Sequence, residues 1–183
     1  MTSALILIDI QEGFDDPFWG ARNNPKAEEN AARLLDHWRV LSAPVFHIQH
    51  VSTMPGSPLN PDGGQSAIKS IVAPCRDEPV LTKSVNSAFI GTDLETRLHS
   101  CGLRAVTICG LTTPHCVSTT TRMAANLGFD VTLIHDACAA FTTNADTSWR
   151  AGTAPTAEDI HRAALDQLSG EFARVIATNE AVT

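Results

Sequence analysis

Short apolar runs alternate with helix-period segments along most of the chain, and this alternation limits the fold more than any other feature. Ala4–Ile8 is an apolar run of strand length. Asn24-Pro25 reads as a cap followed by a proline at a first helical position. Ala31, Leu34, Leu35, Trp38 and Leu41 then recur at helical spacing, which predicts a helix over 26–41. Val45–Val51 and Pro79–Lys83 read as strands. Thr92 and Glu95 read as a capping box, with Leu94 and Leu98 on one face and Gly102 ending that helix. The strands Ala105–Cys109 and Val131–His135 flank a helical stretch over 115–127 that stops at Gly128. Thr156 caps a last helix bearing Ile160, Ala164 and Leu168, and Arg174–Ala177 closes as a sixth strand. Strands that are apolar throughout and separated by helices call for a mainly parallel sheet covered on both faces. The expected fold class is therefore α/β: a three-layer α/β/α, Rossmann-like arrangement with six strands.

At 183 residues the chain is expected to form a single domain spanning 1–183. Thirteen Lys and Arg against twenty Asp and Glu leave a net charge of −7, which speaks against nucleic acid or an anionic membrane as partner and leaves a small molecule. Ala4–Ile8 is too short for a signal sequence or a membrane span and lacks a basic flank, so a cytoplasmic location is expected. The five cysteines contain no C-x-x-C pair and read as free thiols. The first strand leads into Asp-Ile-Gln-Glu-Gly rather than G-x-G-x-x-G, and no Walker loop is present, so neither nucleotide motif applies.

In open parallel sheets ligands bind beyond the carboxyl ends of the strands, so residues just after each strand carry the functional argument. Gly110-Leu-Thr-Thr-Pro-His-Cys116 runs from a strand end into a helix. Cys116 near a helix start reads either as a thiol of lowered pKa, with backbone N–H groups able to hold an oxyanion, or as a buried structural thiol. Asp9 ends an apolar strand, where burial alone explains an aspartate poorly. Lys83 ends another strand, and a lysine there is either solvated or paired. Together the three form a coherent set of nucleophile, acid/base and cation. His50 and His115 are candidate pocket walls. Phe14 and Trp19 could stack on a substrate or pack in the core, and Gln11 could bond a ligand or backbone. His47 and His50, three apart in a strand, face opposite sides and cannot easily share a metal. The other cysteines (Cys75, Cys101, Cys109, Cys138) read as packing residues. Two loops resist assignment: Ser52–Pro74, rich in proline and glycine (Gly56, Gly63, Gly64), and Ala140–Pro155, with only Trp149 to anchor it.

Leu-Ile-Asp9-Ile-Gln, Lys83-x-x-x-Ser87-Ala-Phe89, Gly-Thr92-Asp93-Leu94 and Gly110-Leu-Thr-Thr-x-x-Cys116-Val occur in this order, and together they resemble the isochorismatase-like cysteine hydrolases from the first strand to about Phe141. The resemblance implies a catalytic triad of Asp9, Lys83 and Cys116, a cis peptide at Leu111–Thr112, and an oxyanion hole made by the backbone N–H groups of Thr112 and Cys116. It also implies a homodimer or larger homo-oligomer, in which a neighbouring subunit can complete the pocket. True isochorismatases generally lack the cysteine, so its presence favours C–N hydrolysis of an amide or lactam through a thioester. Nicotinamidases carry a metal-binding Asp-x-His segment, whereas the corresponding stretch here is Phe46-His-Ile-Gln-His50, so no metal and no cofactor are expected. Vinyl ether hydrolysis and a non-catalytic binding role on the same fold stand as alternatives.

Overall fold

The computed structural model describes residues 3–62 and 64–183; Gly63 of the proline- and glycine-rich loop, Met1 and Thr2 lie outside the described residues. Six strands pair in parallel: β1 (Ala4–Ile8), β2 (Val45–His50), β3 (Val80–Lys83), β4 (Ala105–Leu111), β5 (Asp130–Ala139) and β6 (Arg174–Ile176). Their order across the sheet is β3-β2-β1-β4-β5-β6. Five helices accompany them: α1 (Ala27–Val40), α2 (Leu94–Ser100), α3 (Ser118–Asn126), α4 (Ala157–Asp166) and α5 (Thr178–Ala181). The central strand β1 is buried at every position, as a strand sandwiched between helical layers must be. The chain moves from β1 outward to β3, then crosses back to β4 and on to β6. Right-handed crossovers therefore place α1 on one face and α2, α3 and α4 on the other, the three-layer arrangement expected. The direction of winding reverses between β1 and β4, the switch point beyond whose strand ends open α/β sheets bind ligands.

Several local expectations are corrected. α1 starts after Lys26, not at an Asn24 cap: Asn24 takes a φ of 41° and turns its amide toward the carbonyls of His135 and Cys138. α2 has no capping box; Asp93 precedes it, and Thr92 Oγ1 donates to the Ala88 carbonyl while accepting from Leu94 N–H. Thr156 does cap α4, sharing a reciprocal pair of bonds with Asp159. β4 and β5 both run beyond their apolar cores, with a register shift between Ile108 and Gly110. Trp149 anchors nothing and is 80 % exposed; Phe141 and Asn144, both buried, fix the start of that loop instead. Cys109 and Cys138 pack in the interior as expected, whereas Cys75 and Cys101 are exposed. Among the described residues no helix is long and apolar enough to cross a membrane.

Gly110 fits a close approach between the two central strands. Its φ is 129°, and a Cβ there would stand 2.0 Å from the Ile8 carbonyl oxygen. β4 can thus lie against the end of β1 with no side chain between them, immediately before the turn that carries Cys116.

Candidate active site

Asp9 is the first residue beyond β1. Its backbone N–H still donates to the Ile48 carbonyl, 2.9 Å away, while its φ of 50° turns the chain out of the sheet in a conformation aspartate tolerates. Lys83 is the last residue of β3 and stands in register with His50, the last residue of β2. Parallel pairing brings these strand ends to one edge. There Lys83 Nζ lies 2.7 Å from Asp9 Oδ2, 3.1 Å from His50 Nδ1 and 3.3 Å from Cys116 Sγ. Cys116 belongs to a single π-helical turn, Thr113–Val117, that joins β4 to α3. Single turns of this kind widen the backbone spiral and recur at functional sites. The peptide between Leu111 and Thr112, just before it, is cis.

Burial dominates the electrostatics. Asp9 is wholly shielded from solvent, which raises its pKa even though the Lys83 ammonium pulls the other way. The Cys116 thiol is pushed up as well, first by burial and then by the negative charge of Asp9. Of the two readings of Cys116, the lowered pKa is the one not met: α3 begins only at Ser118, and burial raises a thiol lodged in the preceding turn. His50 is pushed down to about 4 by burial and then by Lys83, so its ring is neutral and Nδ1 accepts from the ammonium. Asp9 Oδ1 is buried and has no hydrogen-bond partner among the described residues.

The remaining candidates divide sharply. Gln11 is fully committed to backbone: its amide nitrogen donates to the carbonyls of His50 (2.9 Å) and Ser66 (2.7 Å), and its oxygen accepts from His50 N–H (2.8 Å). That use leaves it no free donor for a substrate. Phe14 is buried in a second apolar cluster with Leu111, Ala139 and Phe141 and is part of the core. Trp19 is half-buried against that cluster, with its indole N–H on the Gly13 carbonyl at 2.8 Å. His115 is exposed beside the buried Cys116. Backbone bonds tie the long loop to the segment that follows β1. Gly13 N–H donates to Gln65, Glu12 N–H to Ala67 and Lys69 N–H to Ile10, and a cavity of about 530 Å³ lies between the Gly13–Phe18 segment and residues 53–65. Sequence reasoning passed over Asn86, whose Oδ1 is 3.8 Å from Cys116 Sγ. It lies within the Lys83–Phe89 motif, but an exposed asparagine between two strand-end signals has no distinguishing pattern.

His47 faces away and meets Glu78 at 2.9 Å, as strand alternation requires. A different set, Asp9, His50 and Cys116, places metal-binding atoms within 4.8 Å of one another. Lys83 donates to all three, so a cation there would have to displace an ammonium already held by the same atoms.

The Isochorismatase domain model matches residues 3–180. The chain belongs to the isochorismatase family. It is 49 % identical over 181 residues to the isochorismatase family protein YrdC of Bacillus subtilis, covering 98 % of this chain and 94 % of that one. A crystal structure of an isochorismatase-family hydrolase from Chromobacterium violaceum superposes with a TM-score of 0.92 at 40 % identity, covering 99 % of this chain and 92 % of that one. A streptothricin hydrolase of Streptomyces noursei is 31 % identical over 177 residues, 93 % of this chain and 58 % of the relative. The six-stranded sheet is accordingly that of an isochorismatase-family hydrolase fold.

Proposed function

We propose that this isochorismatase-family chain is a cysteine hydrolase that cleaves a C–N bond, in an amide or lactam of a small molecule, through a thioester on Cys116. One observation carries the reading: the buried Lys83 ammonium touches both the Asp9 carboxylate and the Cys116 sulfur, at the sheet edge where such folds bind ligands. The sequence similarity to a streptothricin hydrolase supports a hydrolytic reaction.

The pKa directions suit general-base activation better than a standing thiolate. Burial raises the proton affinity of Asp9, so it can take the Cys116 proton as sulfur attacks the carbonyl carbon. The backbone N–H groups of Thr112 and Cys116 hold the resulting oxyanion, where loss of one donor costs about 10²–10³ in rate. Protonated Asp9 gives its proton to the leaving nitrogen and the C–N bond breaks, releasing an amine from an amide or leaving it tethered to the acyl group of an opened lactam. Asp9 then deprotonates water, which attacks the thioester; the acid product leaves and the proton returns to sulfur. Lys83 stabilises the anions formed on Asp9 and Cys116 along the way.

The test is mass spectrometry of the intact chain after brief exposure to a panel of amides and lactams. An acyl adduct on Cys116 that is absent from Cys116→Ala supports the reading. A Cys116→Ala variant with undiminished turnover of any panel member would overturn it.

A further inference from the structure

His161 on α4 is 3 % exposed and takes no part in the proton transfers described above. Its Nδ1 lies 2.8 Å from Thr113 Oγ1, and its Nε2 lies 3.3 Å from Asn24 Nδ2. The Asn24 amide nitrogen also faces the carbonyls of His135 and Cys138, at 3.1 and 2.8 Å, which fixes its orientation with nitrogen inward. The two hydrogens of the amide meet the two nearer carbonyls, and Nε2 stands beside them. Nδ1 and the Thr113 hydroxyl share one buried hydrogen bond, in which the hydroxyl can serve as donor or acceptor. Burial lowers the ring's pKa to about 4, which keeps the side chain neutral.

Thr113 is itself fully buried. It follows the cis peptide directly and opens the π turn, in which His115 and Val117 both donate back to the Thr112 carbonyl. The segment held by His161 is thus the one that presents the Thr112 and Cys116 backbone N–H groups. The bond comes from α4, outside the turn, and is braced on its far side by a residue preceding α1. Packing alone would not require so directional a contact.

We propose that His161 is a positioning residue: its hydrogen bond at Nδ1 anchors Thr113 and thereby aims the Thr112 and Cys116 backbone N–H groups at the substrate's carbonyl oxygen. This inference rests on the cysteine-hydrolase reading. It acts through Thr113 and needs no contact between His161 and substrate.

Two probes of the full chain separate aim from simple integrity. Iodoacetamide alkylates Cys116 without forming an oxyanion. p-Nitrophenyl acetate acylates it through a tetrahedral oxyanion, sulfur gaining the acetyl group as p-nitrophenolate leaves. In His161→Phe the acylation rate is expected to fall about 10- to 100-fold while alkylation stays within about twofold. His161→Asn, whose amide can donate to the Thr113 hydroxyl or accept from it, should recover most of the acylation rate. Thr113→Val, a smaller change that preserves shape, should mimic His161→Phe, and the double variant should be no slower than either single one. Wild-type acylation in His161→Phe and Thr113→Val, an equal fall in both probes, or no recovery in His161→Asn would overturn the inference. A wild-type chain that is alkylated at Cys116 yet never acylated would instead remove the hydrolase reading on which it rests.

Discussion

Lys83 Nζ and Asp9 Oδ2 are 2.7 Å apart, 74 residues apart in sequence, and neither side chain exposes any surface to solvent. Such a pair is held by two opposing quantities: the cost of taking both charges out of water and their mutual attraction in a medium of low polarity. Its stability is therefore conditional on both members being present.

Lys83→Met leaves Asp9 buried beside an apolar chain. The expected loss is about 3–5 kcal/mol, with a fall in Tm of roughly 6–20 °C by calorimetry. Adding Asp9→Asn removes the stranded charge and should recover most of that loss while restoring no activity. A double variant no more stable than Lys83→Met alone would contradict the account.

Glu78 gives the acid limb of stability. Two bonds from Arg39, at 2.7 and 2.8 Å, lead the groups that hold its carboxyl at about 2 instead of 4.5, with Cys75 N–H and His47 assisting. Because the folded value lies below the unfolded one, this contribution is complete above pH 4.5 and fades as pH falls toward 2. Urea midpoints measured across that interval should drop steeply, and Glu78→Gln should flatten the slope while lowering stability at neutral pH.

Gly110→Ala places a methyl group 2.0 Å from the Ile8 oxygen on a residue whose φ is already positive. The three nearest atoms, Ile8 O, N and C, are all backbone, so no side chain can swing aside. The expected destabilisation exceeds about 4 kcal/mol and should show as insoluble expression or a collapsed urea midpoint. A well-folded alanine variant would mean that β1 and β4 can separate.

Gln11→Leu conserves bulk but strands the Ser66 carbonyl and the His50 N–H and carbonyl. About 2–4 kcal/mol of stability should be lost, together with hydrogen-exchange protection in residues 64–69, whereas Cys116 alkylation should change little.

The strand–helix alternation made the sheet legible because each apolar run buries both faces, and the strand-end rule then pointed to Asp9 and Lys83. The boundaries that failed did so where tertiary hydrogen bonds outbid local chemistry. Asn24 left its capping position for carbonyls more than a hundred residues away, and Thr92 turned back to Ala88. Gln11 and His161 illustrate the same limit. A glutamine or histidine reveals its role only through the partners that folding brings to it, and those partners are largely main-chain atoms or distant residues with no spacing relation to it. The raised pKa of Cys116 was hidden for a related reason, since a helix start is visible in sequence and the depth of a thiol is not.

The Gln11 clamp has a consequence for how the molecule can diversify. It grips the long loop by the main chain alone, and a carbonyl is the same acceptor whatever side chain sits beside it. Substitutions among residues 53–62 can therefore reshape the adjoining cavity without loosening the anchor. The chemistry at the strand ends and the shape of that cavity are written in separate parts of the chain, free to drift at different rates.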